Sequence, residues 1–255
     1  VTEIKNAEQI EKMRATGRVV ATALAAMEEA ATVGMTLKQL DTIGAQVLTE
    51  AGATSPFLNY HPDWAPTPFP GSICASVNDV VVHGIPGDYV IKDGDVVSID
   101  FGAILDGWCG DAARSFIVGT PREADQLLLK ATEEALYAGI EQCHPGKTIG
   151  DIGHAINTIA KKNKLGNLWD HGGHGIGTEM HMDPFVPNEG RRGKGTKLVE
   201  GMVICIEPMF ILGKKGDYYY HEDGWTILSA SGGRAAHFEH TIAITADGPD
   251  ILTRL

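Results

Sequence analysis

The feature that most restricts the fold is a match of the chain with itself. The segment DGDVVSID (93–100) corresponds, position by position in residue type, to EGMVICIE (200–207). Upstream, GMTL (34–37) corresponds to GKTI (146–149). Each of the upstream pair opens a helix-patterned run of similar length, and each is preceded by another such run. Either match alone is weak, but two in the same order predict a duplicated α/β unit. The unit is too long and too seldom repeated for a solenoid. One pseudo-two-fold domain over 1–255 is therefore expected, with halves near 1–120 and 121–255. At 255 residues and 43% hydrophobic content the chain can bury a sizeable core.

Local patterns fill in the elements. Residues 7–31 carry Ile10, Met13, Val20, Leu24 and Met27 near helical spacing, with Gly34 as the expected stop. Thr36 is placed to cap a second helix, closed by Gly52. Two more helices are expected, from Pro121 to about His144 and from Thr148 to about Lys164. Strands are expected in SICASVNDVVVHG, GDVVSIDFGAIL and WCGDAARSFIVG, and later in KLVEGMVICIEPMFIL, YYYHEDGWTILSA and AHFEHTIAIT. Between them, residues 53–72 read as a loop whose HPDWAPTPFPG is too proline-rich for a helix or a central strand. It reads either as an ordered surface loop or as a wall of a substrate pocket.

The chemistry begins with acids in apolar company. Asp106-Gly107 between two apolar runs signals a two-residue hairpin turn. Counting back from it puts Leu105 opposite Trp108, Gly102 opposite Asp111 and Asp100 opposite Ala113. Asp100 and Asp111 then share a face as diagonal neighbours, on the order of 7 Å apart. That spacing can flank a pair of cations roughly 3.5–4 Å apart. A lone pair of acids could equally lie on a solvated face, but the flanks VVSI and FGAIL oppose this for Asp100. Glu207 in VICIEPMF and Glu239 in HFEHTIAIT repeat the pattern. Unpaired buried charges would cost several kcal/mol each, roughly, so cations are the economical explanation. The run DHGGHGIGTEMH supplies histidines among glycines: His171, which reads as a loop residue, then His174 and His181. An oxygen-rich set with one imidazole suits Mn, Fe, Co or Zn pairs rather than a structural zinc site.

Other chemistries are excluded. His221-Glu222-Asp223 does not continue to HExxH, the PGKT at 145–148 lacks the first P-loop glycine, and there is no GxSxG. A net charge of −12 argues against phosphate-backbone binding as the main task. Cys74, Cys109, Cys143 and Cys205 are widely spaced and contain no CxxC, which predicts reduced thiols in a cytoplasm. Cys205 reads most simply as core. Neither a signal peptide nor a membrane span is expected.

With these residues in hand, the chain resembles the type I methionine aminopeptidases of the bacterial kind. The likeness runs in order through SICASVNDVVVHGIP, GDVVSIDFGAILDGWCGDAARSF, GGHGIGTEMH, GMVICIEPMF, DGWT and HFEHTIAIT. It implies the pita-bread fold, an α/β (α+β) domain with a central antiparallel sheet, flanking helices and the site between the halves. It implies Asp100, Asp111, His174, Glu207 and Glu239 as ligands of two divalent ions (Co, Mn, Fe, Zn or Ni). His83 and His181 would position substrate, and Tyr60, Phe69, Cys74 and Trp225 would form the methionine pocket. The implied reaction is removal of the N-terminal methionine from nascent proteins and peptides. A hydroxide bridging the two ions attacks the first peptide bond, and a small second residue is preferred. Glu207 would accept the proton, His181 would stabilise the oxyanion, and His83 would contact or protonate the scissile nitrogen. The resemblance further implies a cytoplasmic monomer and leaves room for ribosome association. Two departures bear on the pocket: the loop HPDWAPTP (61–68) is longer than in the shortest members, and Met180 stands where Phe commonly does. The 31 residues between Glu207 and Glu239 leave no space for the type II insertion. Prolidases would add an N-terminal domain.

Overall fold

The computed structural model describes residues 2–255. The first half opens with helices α1 (Ala7–Ala30) and α2 (Leu37–Ala51), followed by strands β1 (Ile73–Val77), β2 (Val80–Val82), β3 (Asp95–Leu105) and β4 (Trp108–Val118). The second opens with α3 (Glu123–Ile140) and α4 (Ile149–Lys162). Strands β5 (Gly166–Asn167), β6 (Gly172–Gly175), β7 (Met182–Pro187), β8 (Val203–Ile206) and β9 (Met209–Ile211) follow. The chain closes with β10 (Tyr218–Tyr220), β11 (Ile227–Ser229), β12 (Ala235–His237), β13 (His240–Thr245) and β14 (Gly248–Ile251).

The duplication is visible down to backbone angles. Gly34 and Gly146 both sit at positive φ, 94° and 88°. Thr36 and Thr148 both cap the following helix, each in a reciprocal box with the residue three positions on, Gln39 and Asp151. Both threonines also form an isolated antiparallel bridge, to Val90 and to Lys197. Gly94 and Gly201, which open the two acid-bearing segments, are again both left-handed, at 84° and 89°. Each half has its own apolar core. Leu24, Met27, Leu40, Ile99 and Phe101 anchor the first, and Leu136, Ile152, Ile156, Ile204 and Phe210 the second. A third cluster crosses between them, packing Met13 and Cys109 against Ile176, Val203 and Leu252.

All strand pairs are antiparallel. The main sheets are β1-β3-β4 and β14-β13-β8-β6-β7. A bridge between Ala113 of β4 and Glu239 joins them across the pseudo-dyad, so the central sheet is two ladders stitched at one point. The hairpin register is the one counted from the turn: Leu105 faces Trp108, Gly102 faces Asp111 and Asp100 faces Ala113. Both turn residues, Asp106 and Gly107, are left-handed (φ 50° and 80°), which matches the twist of the flanking strands.

Several boundaries differ from expectation. The first helix stops at Ala30, where Ala31 turns extended, and Gly34 belongs to the turn beyond it. The third helix starts after Arg122 rather than at Pro121. It ends at Ile140, because Gln142 and Cys143 take i−3 carbonyls and tighten the chain before His144. The two long apolar runs of the second half each break: Pro208, with no N–H, separates β8 from β9, and Phe238-Glu239 separates β12 from β13. Asp100 and Asp111 thus lie within continuous strands, whereas Glu207 and Glu239 lie at strand interruptions.

Candidate metal centre

The two halves deliver their acids to one place. Asp100 and Asp111 come from β3 and β4, and Glu207 and Glu239 come from the breaks after β8 and before β13. His174 comes from β6, a strand that its glycines disguise in the sequence. Those glycines are required by close backbone approach. A Cβ on Gly173 would collide with the Cys205 carbonyl, and one on Gly175 with the Asp183 carbonyl. His174 Nδ1–H donates to the Gly175 carbonyl at 2.9 Å, which fixes the tautomer and turns the Nε2 lone pair inward. There Nε2 lies 3.6 Å from Asp111 Oδ2, 3.7 Å from Glu207 Oε1 and 3.9 Å from Glu239 Oε1.

The carboxylates are deeply placed: Asp111 is 3% exposed and Glu239 1%. Burial, and then the charges of the neighbouring acids, push Asp100, Asp111 and Glu239 well above the usual carboxylate range. Glu207 differs. Burial would raise it too, but the surrounding imidazoles outweigh that and hold it below its ordinary value. Asp100 Oδ1, Asp111 Oδ1 and both Glu239 carboxylate oxygens are buried without a hydrogen-bond partner. Native interiors rarely tolerate such atoms, and several together, all anionic acceptors, fit a cation. Ligand atoms of Asp111, His174, Cys205 and Glu239 fall within 4.8 Å of one another, as do those of Asp100, His237 and Glu239. His237 was not singled out in the sequence. Strand alternation places residues 237 and 239 of HFEH on one face, and that signal was available. Cys205 packs in the cluster that crosses between the halves, behind the ligands, with its thiol 3.5 Å from Thr241 Oγ1.

In front of the acids is a cavity of ≈ 250 Å³, small for a ligand site. Its walls include Asp100, Asp111, His174 and Glu207, and every residue expected to meet substrate: Tyr60, Phe69, Cys74, His83, His181 and Trp225. Glu239 lies behind this wall. Cys74 pairs directly with Asp100 across β1 and β3, which puts its side chain on the acids' face. Trp225 packs edge-on against Phe69 at 5.2 Å and donates its indole N–H to the Thr67 carbonyl at 3.0 Å. The proline-rich loop is therefore pocket wall, and it adds Phe57 and Trp64, which the sequence did not single out. Val82, Met209 and His171 also line the cavity. Met180 is not part of that lining and packs with Pro56 and Phe57 over Gly102. His83 is held at positive φ, 60°, which is uncommon outside glycine and typical of functional positions. Burial pushes its imidazole down to about 4. His181 stands at the cavity mouth, with its ring 4.4 Å from that of His174.

The profile of metallopeptidase family M24 matches residues 11–246. The chain belongs to this family. Within M24 it is 48% identical over 256 residues to methionine aminopeptidase 1 of Mycobacterium tuberculosis, covering 98% of this chain and 94% of that one. The crystal structure of methionine aminopeptidase from Thermotoga maritima superposes with a TM-score of 0.95 at 38% identity, with 100% of each chain covered. Prolidase from Pyrococcus furiosus shares the M24 fold more distantly, with a TM-score of 0.78 at 26% identity over 99% of this chain and 65% of that one. The chain is thus a divalent-metal hydrolase of the methionine aminopeptidase group, with the pita-bread fold. Among the described residues, no helix is long and apolar enough to cross a membrane.

Proposed function

We propose that the chain removes the N-terminal methionine from peptides and nascent proteins, using two divalent ions held by Asp100, Asp111, His174, Glu207 and Glu239. The observation that carries this reading is the group of buried carboxylate oxygens of Asp100, Asp111 and Glu239 that lack a hydrogen-bond partner, with His174 Nε2 3.6–3.9 Å from Asp111, Glu207 and Glu239, beside a small aromatic cavity. Ions of the Mn, Fe, Co, Ni or Zn type would supply there a lowered water pKa and a polarised carbonyl.

The side chains divide the remaining tasks. Glu207 is the one acid of the four held below its usual range and also open to the cavity, so it is ionised and suited to take a proton from the attacking water. His181 donates to the developing oxyanion. His83, neutral at physiological pH, contacts the scissile nitrogen through its ring N–H rather than as a standing acid. Phe69, Cys74, Tyr60 and Trp225 take the methionine side chain. Sulfur–aromatic contacts of about 0.3–1.5 kcal/mol favour a thioether there. Shape alone discriminates a methylene by only ~1–3 kcal/mol. The cavity of ≈ 250 Å³ takes the first side chain, and the second residue, preferred small, lies outside it. The setting of this reading is a cytoplasmic monomer acting on nascent chains.

Turnover of Met-Ala-Ser against Leu-Ala-Ser by metal-replete protein tests the specificity. The expected result is cleavage of the first with the second at least tenfold slower. Equal turnover would point to a broader aminopeptidase.

A further inference from the structure

A second imidazole besides His174 reaches the carboxylates of the centre. His237 ends β12 and is 2% exposed. Its backbone is clamped to β4: its N–H donates to Ser115 Oγ at 2.9 Å, and that hydroxyl donates to its carbonyl at 2.9 Å. Its Nε2 is buried without a hydrogen-bond partner. The carboxylate oxygens nearest to it are Glu207 Oε2 at 3.3 Å and Glu239 Oε2 at 3.8 Å, with Asp100 completing the group.

These separations match those around His174 Nε2, 3.6–3.9 Å. Two donor atoms each about 2.1 Å from one cation stand about 3.0 Å apart at a right angle and about 4.2 Å apart when opposite, a span that holds all of these separations. Hydrogen bonds to carboxylates are shorter, about 2.7–2.9 Å. The two sets share Glu239; beyond it, His174 goes with Asp111 and Cys205, and His237 with Asp100, while Glu207 has one oxygen near each imidazole. We infer that His237 is a sixth protein ligand, so that each of the two ions is held by one imidazole of its own. This rests on the two-ion reading above. It also gives the second position a nitrogen donor, which favours Zn, Co, Ni or Fe over Mg or Ca.

The test is titration of metal-free wild type and His237→Gln with Co²⁺, followed by calorimetry and by proton NMR of the paramagnetically shifted imidazole N–H signals. Wild type is expected to take two equivalents and to show two shifted, solvent-exchangeable imidazole signals. His237→Gln should keep the first equivalent, lose one signal and bind the second ion at least tenfold more weakly. Two equivalents with a single imidazole signal in wild type would overturn the inference and leave His237 as a residue that orients Glu207. An unchanged second affinity in His237→Gln would overturn it as well. Failure of wild type to bind more than one ion would overturn the two-ion reading itself. The wild-type signal count decides the matter even if the variant does not fold.

Discussion

Four carboxylates meet at the centre, and their surroundings assign them different work. Asp100, Asp111 and Glu239 are raised by burial and by one another, so a cation among them would favour their charged forms. Glu207 stays low beside its imidazoles. Replacing Glu207 by Gln should lower kcat by about 10²–10⁴-fold, as loss of a proton acceptor does. His83→Ala should lower turnover by about 10²-fold while elemental analysis still finds both ions; lost metal would show that His83 is a ligand instead. At this scale, legibility followed the apolar context. Asp100, Asp111 and Glu207 stood out because they interrupt hydrophobic runs. Glu239 and His174 rested more on the family likeness. His237 was not singled out, although alternation in HFEH puts it on the face of Glu239; the folded structure brings its Nε2 to the carboxylates of Glu207 and Glu239.

The strands that carry these residues were legible to different degrees. The β3–β4 hairpin was countable residue by residue, because a two-residue Asp-Gly turn admits one register. The helix starts at Thr36 and Thr148 were legible from their capping residues. Strand β6 was not, because GGHG has no strand propensity. It is a strand since its bare backbone fits between Cys205 on one side and Asp183 and Val186 on the other, a tertiary cause. Gly173→Ala should therefore shift β6 away from Cys205, destabilise the fold by roughly 1–3 kcal/mol in urea unfolding, and weaken metal binding through displaced His174. Unchanged metal affinity in that variant would contradict the argument that the glycines place the ligand. The breaks at Pro208 and at Phe238-Glu239 were likewise hidden inside continuous apolar runs.

At the scale of the molecule, the repeat pointed to a duplicated α/β unit, while the position of the site between the halves came from the family likeness. The packing of Met13 and Cys109 with Ile176 and Leu252 ties the halves together, so thermal unfolding of the metal-loaded chain should be a single transition by both calorimetry and circular dichroism. Metal and pH should be linked in that unfolding. The three raised acids bind more protons folded than unfolded, so metal-free stability should fall as pH rises from about 4, the unfolded carboxylate value, through the folded ones. A divalent ion removes that penalty, and at a hundredfold excess over its Kd it adds about 2.7 kcal/mol. The rise in Tm on adding Mn²⁺ should accordingly be larger at neutral pH than at pH near 5, and an equal or smaller rise would count against the linkage. The central claim is most directly tested by anomalous diffraction from crystals grown with Mn²⁺ or Co²⁺. Two anomalous peaks between the halves, enclosed by Asp100, Asp111, His174, Glu207 and Glu239, are predicted. No peak there, or peaks only at other positions, would contradict the account.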